Sequence, residues 1–389
     1  MGTAYQPKIV TDGLAFIYDT GSGKSYKGEP TTNVNTLTLS DSGTDGSGQS
    51  SVGTRTVITD NHVRIVDVSS NTRQSHLITG LTASTTYTIS IMYKKLDGTP
   101  TFRFQIQDYS GAAYLRTIKF TNTTEIGIED REGWQQASWT FTLGSDANAV
   151  RIWYQDGADY TTYTHSFELQ NPQLEAKSHA TPYVDGTRSA TQGLLDLTNN
   201  ATIDISDVSF DSDAQMTFDG TDDQLIVDNI GIDNYSESFS YECVFKAEGT
   251  WANGFISNIV GIAGSYAGHY GLGKSGTNTV NFVVRDANYN SVSGPVSDTS
   301  TYHHLVGVWD QSNSQIRLYI DGELKSSATV TKTGTPDSND LRIGGRAAFG
   351  GSHGSYYHGN IPIVKYYKTA LTTAEVLQNF NASRDRFKI

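Results

Sequence analysis

Three aspartates crowd one short stretch of this chain: Asp219, Asp222 and Asp223, within Phe218-Asp-Gly-Thr-Asp-Asp223. Carboxylates at that spacing are hard oxygen ligands and could hold Ca²⁺. They also suit a tight turn, in which Asp side chains accept hydrogen bonds from nearby backbone N–H groups. Asp156 and Asp159, with Glu168, offer a second version of the same cation chemistry. Glu125, Glu129, Asp130 and Glu132 form another acidic group, in a segment that reads as a solvated turn. His303 and His304 are adjacent, and neighbours on a strand point to opposite faces, so the pair cannot ligate one ion. Nucleophile chemistry has no scaffold: no Gly-x-Ser-x-Gly elbow stands at a strand–helix turn.

Sugar binding needs exposed aromatic rings with polar neighbours. Two glycine-rich stretches supply both, Gly264-Ser-Tyr-Ala-Gly-His-Tyr-Gly271 and Gly350-Gly-Ser-His-Gly-Ser-Tyr-Tyr-His358. Loops at the ends of a sandwich commonly carry function. Tyr266, His269, Tyr270, His353, Tyr356, Tyr357 and His358 are therefore the ligand or interface candidates, with Trp251 and Tyr289 beside them. The same rings could instead pack over a sheet or against a neighbouring subunit.

The elements that would position these residues read as strands. His62–Val68, Tyr87–Tyr93, Thr101–Gln107, Gln136–Leu143 and Ala149–Tyr154 alternate apolar and polar residues. So do Ser238–Phe245, Thr279–Arg285, His304–Trp309 and Gln315–Ile320. Period-2 stretches between turn residues predict an antiparallel sandwich or jelly roll. Asp321-Gly322 after Ile320 is a hairpin signal. Charged residues make up only 18%, while Gly (38) and Tyr (22) are abundant, a mix that suits strands and tight turns. One helix is predicted, of about two turns. Thr372-Thr-Ala-Glu375 is a capping box, with Leu371 and Val376 placed as a hydrophobic staple.

Charge and length narrow the partners. A net charge of −13 argues against nucleic acid and against anionic membranes. The single cysteine, Cys243, rules out an intrachain disulfide and alternates with Phe239, Tyr241 and Phe245, so it should face a core. No apolar run reaches the roughly 18 residues of a membrane helix. The opening residues carry neither a basic start nor an apolar stretch, so no secretory signal is expected. A length of 389 residues predicts two or three domains.

Three segments carry a resemblance to a known family. His358–Val376 resembles the last strand and closing helix of the laminin-G/concanavalin-like fold. Tyr302–Asp310 with Leu318–Glu323 resembles its central hairpin, and Phe218–Asp223 its early strand and turn. Gly13–Asp19 with Lys24-Ser-Tyr26 resembles the family's opening strand, but roughly 150 residues then intervene. The resemblance implies an interrupted domain: residues 1–28 and 186–389 form the lectin-like sandwich around an inserted module, 29–185. That module resembles carbohydrate-binding jelly rolls of bacteriophage virion proteins, on Gly133-Trp-Gln-Gln-Ala-Ser-Trp139, Gln173-Leu-Glu175 and Ala180-Thr-Pro-Tyr183.

The fold class expected is thus all-β, with two antiparallel β-sandwich or jelly-roll domains and one short C-terminal helix. Related glycosidases carry paired acids as Glu-x-Asp-x-x-Glu, because retaining hydrolysis needs carboxylates about 5 Å apart. That pattern is missing, so the resemblance implies a non-enzymatic protein. It implies a bacteriophage virion component (fibre, decoration or receptor-binding subunit), made in the host cytoplasm and homo-oligomeric within an assembly. Its partners would be other virion subunits and host-surface glycans. It needs no cofactor, with Ca²⁺ at Asp219, Asp222 and Asp223 as the exception. The alternatives are a free lectin-like protein and a glycan depolymerase with an unrecognised acid pair.

Overall fold

The computed structural model describes residues 8–35, 54–66, 73–96, 102–122, 125–126, 130, 132–156, 166–228, 230, 235–248, 257–262, 269–276, 278–285, 289–296, 298, 300–331, 340–345 and 356–389. For some strand residues among these only the backbone is described. By its contacts the chain divides into two compact units. One comprises Met1–Pro30, Ser189–Asp211 and Gln215–Ile389; the other comprises Thr31–Arg188 with Ser212–Ala214.

The second unit is a sandwich of two antiparallel sheets. One has six strands, in the order Thr54–Thr59, His62–Val66, Phe167–Glu175, Thr86–Lys95, Trp134–Thr142, Glu125–Ile126. The other has four, in the order Arg73–Thr79, Ala149–Asp156, Phe102–Ser110, Ala113–Asn122. Alternation explains the core between them: Tyr87, Ile89, Ile91 and Tyr93 enter it from one sheet, Val150 and Ile152 from the other. Its first and last strands pair with each other, Thr31 opposite Arg188. Buried Glu175 ties that junction, accepting hydrogen bonds from the Thr31 hydroxyl at 2.7 Å and the Thr181 backbone N–H at 3.0 Å. Thr54–Thr59, Arg73–Thr79 and Ala113–Asn122 have no counterpart among the predicted strands. Thr54–Thr59 shows why: its described side chains are all exposed, so no buried face imposes an alternation.

The first unit is a second sandwich. Its eight-stranded sheet runs Ser209–Phe210, Met216–Asp219, His358–Tyr367, Phe239–Ala247, His303–Asp310, Gln315–Ile320, Glu323–Thr329. Leu14–Asp19 joins it, pairing antiparallel with His358–Tyr367 from Leu14↔Tyr367 to Asp19↔Ile363. The seven-stranded sheet runs Thr202–Asp204, Leu225–Asp228, Leu341–Ile343, Ser257–Ile262, His269–Gly276, Thr279–Arg285, Tyr289–Pro295. Phe239, Tyr241, Cys243 and Phe245 alternate into the shared core, as their spacing predicts, and the Cys243 thiol is free and buried there. The Asp321-Gly322 hairpin also forms as predicted, both residues taking positive φ (52° and 79°).

The eight-stranded sheet is buried on its other face too. Val306, Val308, Tyr319 and Tyr367 pack there against Val10, Leu371 and Val376. The cover is the C-terminal helix, Thr373–Phe387, with 15 residues instead of the two turns expected. The capping box is present, Thr372 Oγ1 accepting from the Glu375 N–H while the Glu375 carboxylate accepts from the Thr372 N–H at 2.7 Å. From Asn379 onward the helix is held by polar anchors, which apolar periodicity does not reveal. Asn379, fully buried, donates to Glu242 Oε2 at 2.6 Å and accepts the Val10 N–H at 2.7 Å. Arg386 makes a two-pronged ion pair with Asp19 at 2.7 and 2.8 Å.

Candidate functional cleft

The first unit carries a cleft of about 470 Å³, lined by Ser206, Asp207, Val208, Asp222, Asp223, Gln224 and Tyr356. Three segments build it. The turn after Thr202–Asp204 supplies Ser206 and Asp207, and the turn between Met216–Asp219 and Leu225–Asp228 supplies the acids and Gln224. The residue leading into His358–Tyr367 supplies Tyr356. Backbone bonds fix these turns, with the Gln224 N–H donating to the Asp207 carbonyl at 2.8 Å and the Tyr357 N–H to the Gly344 carbonyl at 2.7 Å. Arg342 donates to Gln224 Oε1 at 2.6 Å and fixes that amide. Gly345 lies under the cleft: a Cβ there would sit 2.7 Å from the Gln224 Cβ and 3.3 Å from the Tyr356 ring. Any larger residue would crowd both.

The three aspartates do come together, with one carboxylate oxygen from each inside a 4.8 Å group. Their bonding is that of a turn. Asp219 Oδ1 accepts the Thr221 N–H at 2.7 Å, and Asp223 accepts the Asp219 N–H at 2.7 Å and the Ser209 hydroxyl at 3.2 Å. Burial pushes the Asp223 carboxyl above its ordinary pKa, and the Asp219 charge adds to that, outweighing those hydrogen bonds. Asp222 is exposed and lines the cleft. Three carboxylates suit a hard cation in kind, though Ca²⁺ takes 6–8 oxygens, so most of its shell would come from elsewhere.

The other candidates scatter. Tyr356 is half-buried at the cleft. His358 is also half-buried and pairs through its backbone with Asp219. Tyr357 is a correction: it is 0% exposed, set edge-on to Phe218 with ring centroids 6.0 Å apart, and offers no surface to a ligand. Alternation decides this, because Tyr357 faces the core while Tyr356 and His358 do not. Tyr289 is 50% exposed on its strand. His269 and Tyr270 lie in His269–Gly276, paired with Arg285 and Val284, and only their backbone is described. Trp251, Tyr266 and His353 fall outside the described residues. Ser206, Asp207 and Gln224 escaped the sequence reading, because nothing in their local spacing marks them; the turns bring them beside Tyr356.

Several of the other described acids and histidines make structural contacts, while for Glu125 and Asp156 only the backbone is described. His303 binds Asp321 at 2.8 Å, while His304 binds Glu242 at 3.1 Å, so the two rings do serve different partners. Asp130 accepts the Glu132 and Trp134 N–H groups at 2.8 and 2.9 Å, and these bonds, Trp134's first, hold its carboxyl below the usual range. Glu168 is buried, and burial opposes its charge. Hydrogen bonds from Arg64 and His62 outweigh that and lower its pKa. Asp159 and Glu129 fall outside the described residues.

Comparison with known proteins agrees with the architecture. Residues 219–377 match the family described as the concanavalin A-like lectin/glucanases superfamily. No curated protein matches the sequence. Among solved structures, one of botulinum neurotoxin type C, a toxin whose cell entry is dependent upon interaction with two ganglioside molecules, is 15% identical at TM-score 0.40. It covers 50% of this chain and 50% of that one. The botulinum neurotoxin D receptor-binding domain is 14% identical at TM-score 0.39, covering 50% and 51%. The Ruminococcus gnavus IT-sialidase CBM40 bound to α2,3 sialyllactose is 18% identical at TM-score 0.31, covering 36% and 81%. This chain thus spans about half the length of the toxin chains. Similarity at that level fixes neither site nor ligand. The all-β sandwich of the first unit is lectin-like, with residues 219–377 similar to the concanavalin A-like superfamily.

Proposed function

We propose that this protein is a non-enzymatic, carbohydrate-binding attachment protein. The cleft at Tyr356 carries the reading: one partly exposed aromatic ring stands among Asp207, Asp222, Gln224 and Ser206. An aromatic face takes the apolar side of a sugar, and carboxylates and amides take its hydroxyls. Asp223 is already spent on Ser209 and a backbone N–H, which supports binding over acid catalysis at this point. If a divalent cation participates, Asp219, Asp222 and Asp223 are its protein ligands.

The same reading extends to a setting. A lectin-like sandwich combined with an inserted module resembling phage virion jelly rolls suggests a fibre, decoration or receptor-binding subunit, contacting host glycans or other virion subunits and oligomeric in the assembly. A free lectin would use the same cleft. The module of residues 29–185 is then an insertion in the lectin-like domain.

Screening the full chain on a glycan array, with Ca²⁺ and again with EDTA, tests the proposal. At least one glycan should bind, and Tyr356→Ala should weaken it by about tenfold or more, the size of a lost aromatic contact. A loss of binding in EDTA that Asp222→Asn reproduces would establish the cation. Shortening of the bound glycan on incubation would overturn the non-enzymatic reading. Antibody labelling of the suspected virus particle checks the setting, which an unlabelled particle would refute.

A further inference from the structure

We propose that Lys365 and Asn379 join through an isopeptide bond, with Glu242 carrying the proton between them. The three side chains meet under the C-terminal helix, Lys365 at 2% exposure, Asn379 at 0% and Glu242 at 1%. Lys365 stands directly opposite Glu242 in the pairing of Phe239–Ala247 with His358–Tyr367, and its Nζ donates to Glu242 Oε1. Asn379 reaches down from the helix, and its Nδ2 donates to the other oxygen, Oε2, at 2.6 Å. An amine and a carboxamide are thus held on the two oxygens of one carboxylate. The surroundings keep water away, since Val10, Val306, Tyr367, Leu371 and Val376 pack on this side of the sheet. Stability alone is a weak reason for such a set, because apolar residues of similar volume often replace a buried ion pair without loss.

Each hydrogen bond matches a part in the chemistry. The nucleophile is the neutral Lys365 amine, formed when its ammonium passes a proton to Glu242; that transfer removes two buried charges. The electrophile is Asn379 Cγ, whose oxygen already accepts the Val10 N–H at 2.7 Å. That donor stabilises the oxygen as it takes up negative charge. Nζ bonds to Cγ, Glu242 delivers its proton to Nδ2, and the Cγ–Nδ2 bond breaks to release ammonia. The attacking nitrogen gives up a second proton, through the same carboxylate, and the leaving group departs as ammonium. Atoms and charge balance, and no co-reactant is needed. Holding both groups on one carboxylate removes the entropic cost of bringing them together. Burial opposes the Glu242 charge, but Lys365 and then His304 hold its pKa at about 2. The neutral pair is therefore a minor state and the reaction is slow; until it occurs, the site remains an ion pair. Once formed, the bond ties the helix Thr373–Phe387 covalently to an interior strand of the eight-stranded sheet.

Intact-mass measurement of the full chain during prolonged warm incubation tests the bond. Wild type should accumulate a species lighter than the sequence mass by one ammonia. A tryptic map of that species should contain a branched peptide joining Lys365 to Asn379, with cleavage after Lys365 lost. Asn379→Ala and Lys365→Met should give no branched peptide. Should either variant fail to fold, the wild-type map decides alone. Glu242→Gln keeps both reacting groups but cannot carry the proton, and a branched peptide in that variant would overturn the role given to Glu242. Ammonia loss that maps to a cyclic imide at an asparagine, with no branch to Lys365, overturns the proposal. An unchanged mass after the full incubation overturns it as well.

Discussion

Glu242 shows how far one residue's role depends on distant neighbours. It is buried under the C-terminal helix, accepting hydrogen bonds from Lys365, from Asn379 at 2.6 Å and from His304 at 3.1 Å. Burial opposes its charge, but the Lys365 ammonium, then His304, outweigh that and hold its pKa at about 2. A carboxyl depressed in the folded state adds stability that is fully present above its unfolded pKa. That stability is lost as pH falls through the folded value. The window therefore runs from about pH 4.5 down to about 2. Glu242→Gln should remove that pH dependence from urea unfolding curves and, at neutral pH, cost roughly 3–5 kcal/mol by leaving Lys365 buried without its anion. Unchanged unfolding midpoints would show that the pair is dispensable. None of this was legible locally, since Glu242 reads as the polar position of an alternating strand.

At the scale of elements, local signals were reliable where the backbone itself is constrained. Thr372 and Glu375 cap the helix as read, and Asp321-Gly322 turns the hairpin as read. The hairpin also meets the helix, a contact no local signal contains: a Cβ on Gly322 would lie 2.8 Å from the Phe380 ring, at φ +79°. Gly322→Ala should therefore destabilise by about 1–2 kcal/mol for the left-handed backbone alone, plus the cost of displacing Phe380. Calorimetric melting would read the loss, and an unchanged melting temperature would contradict the contact. Helix length and the strands with no buried face escaped the reading because both depend on what covers them. Tyr356, Tyr357 and His358 make the same point, since only burial distinguishes the core ring from its two neighbours.

For the whole molecule, the paired ends of the second unit lead to a test of the insertion. Thr31 and Arg188 are directly opposed across two short strands. Removing residues 31–188 and joining Pro30 to Ser189 with a short Gly-Ser linker should therefore leave a chain that still folds. Loop-closure entropy penalises so short a connection little. The shortened chain should show a cooperative melt and keep glycan binding at the Tyr356 cleft. Aggregation, or a melt without cooperativity, would mean that the two units are not separable and would sink the insertion.

The sequence by itself determined the all-β class, the alternating core strands, the buried cysteine, the capping box and the Asp-Gly hairpin. Each follows from period-2 burial or from local backbone chemistry, which neighbouring residues are enough to express. Only the tertiary structure decided which polar residues meet. Ser206, Asp207, Asp222, Gln224 and Tyr356 become one cleft because three turns far apart in the chain lie side by side. Glu242, Lys365 and Asn379 become one network because a helix closes over a sheet. Antiparallel pairing joins residues hundreds of positions apart, and no periodicity within a window records that.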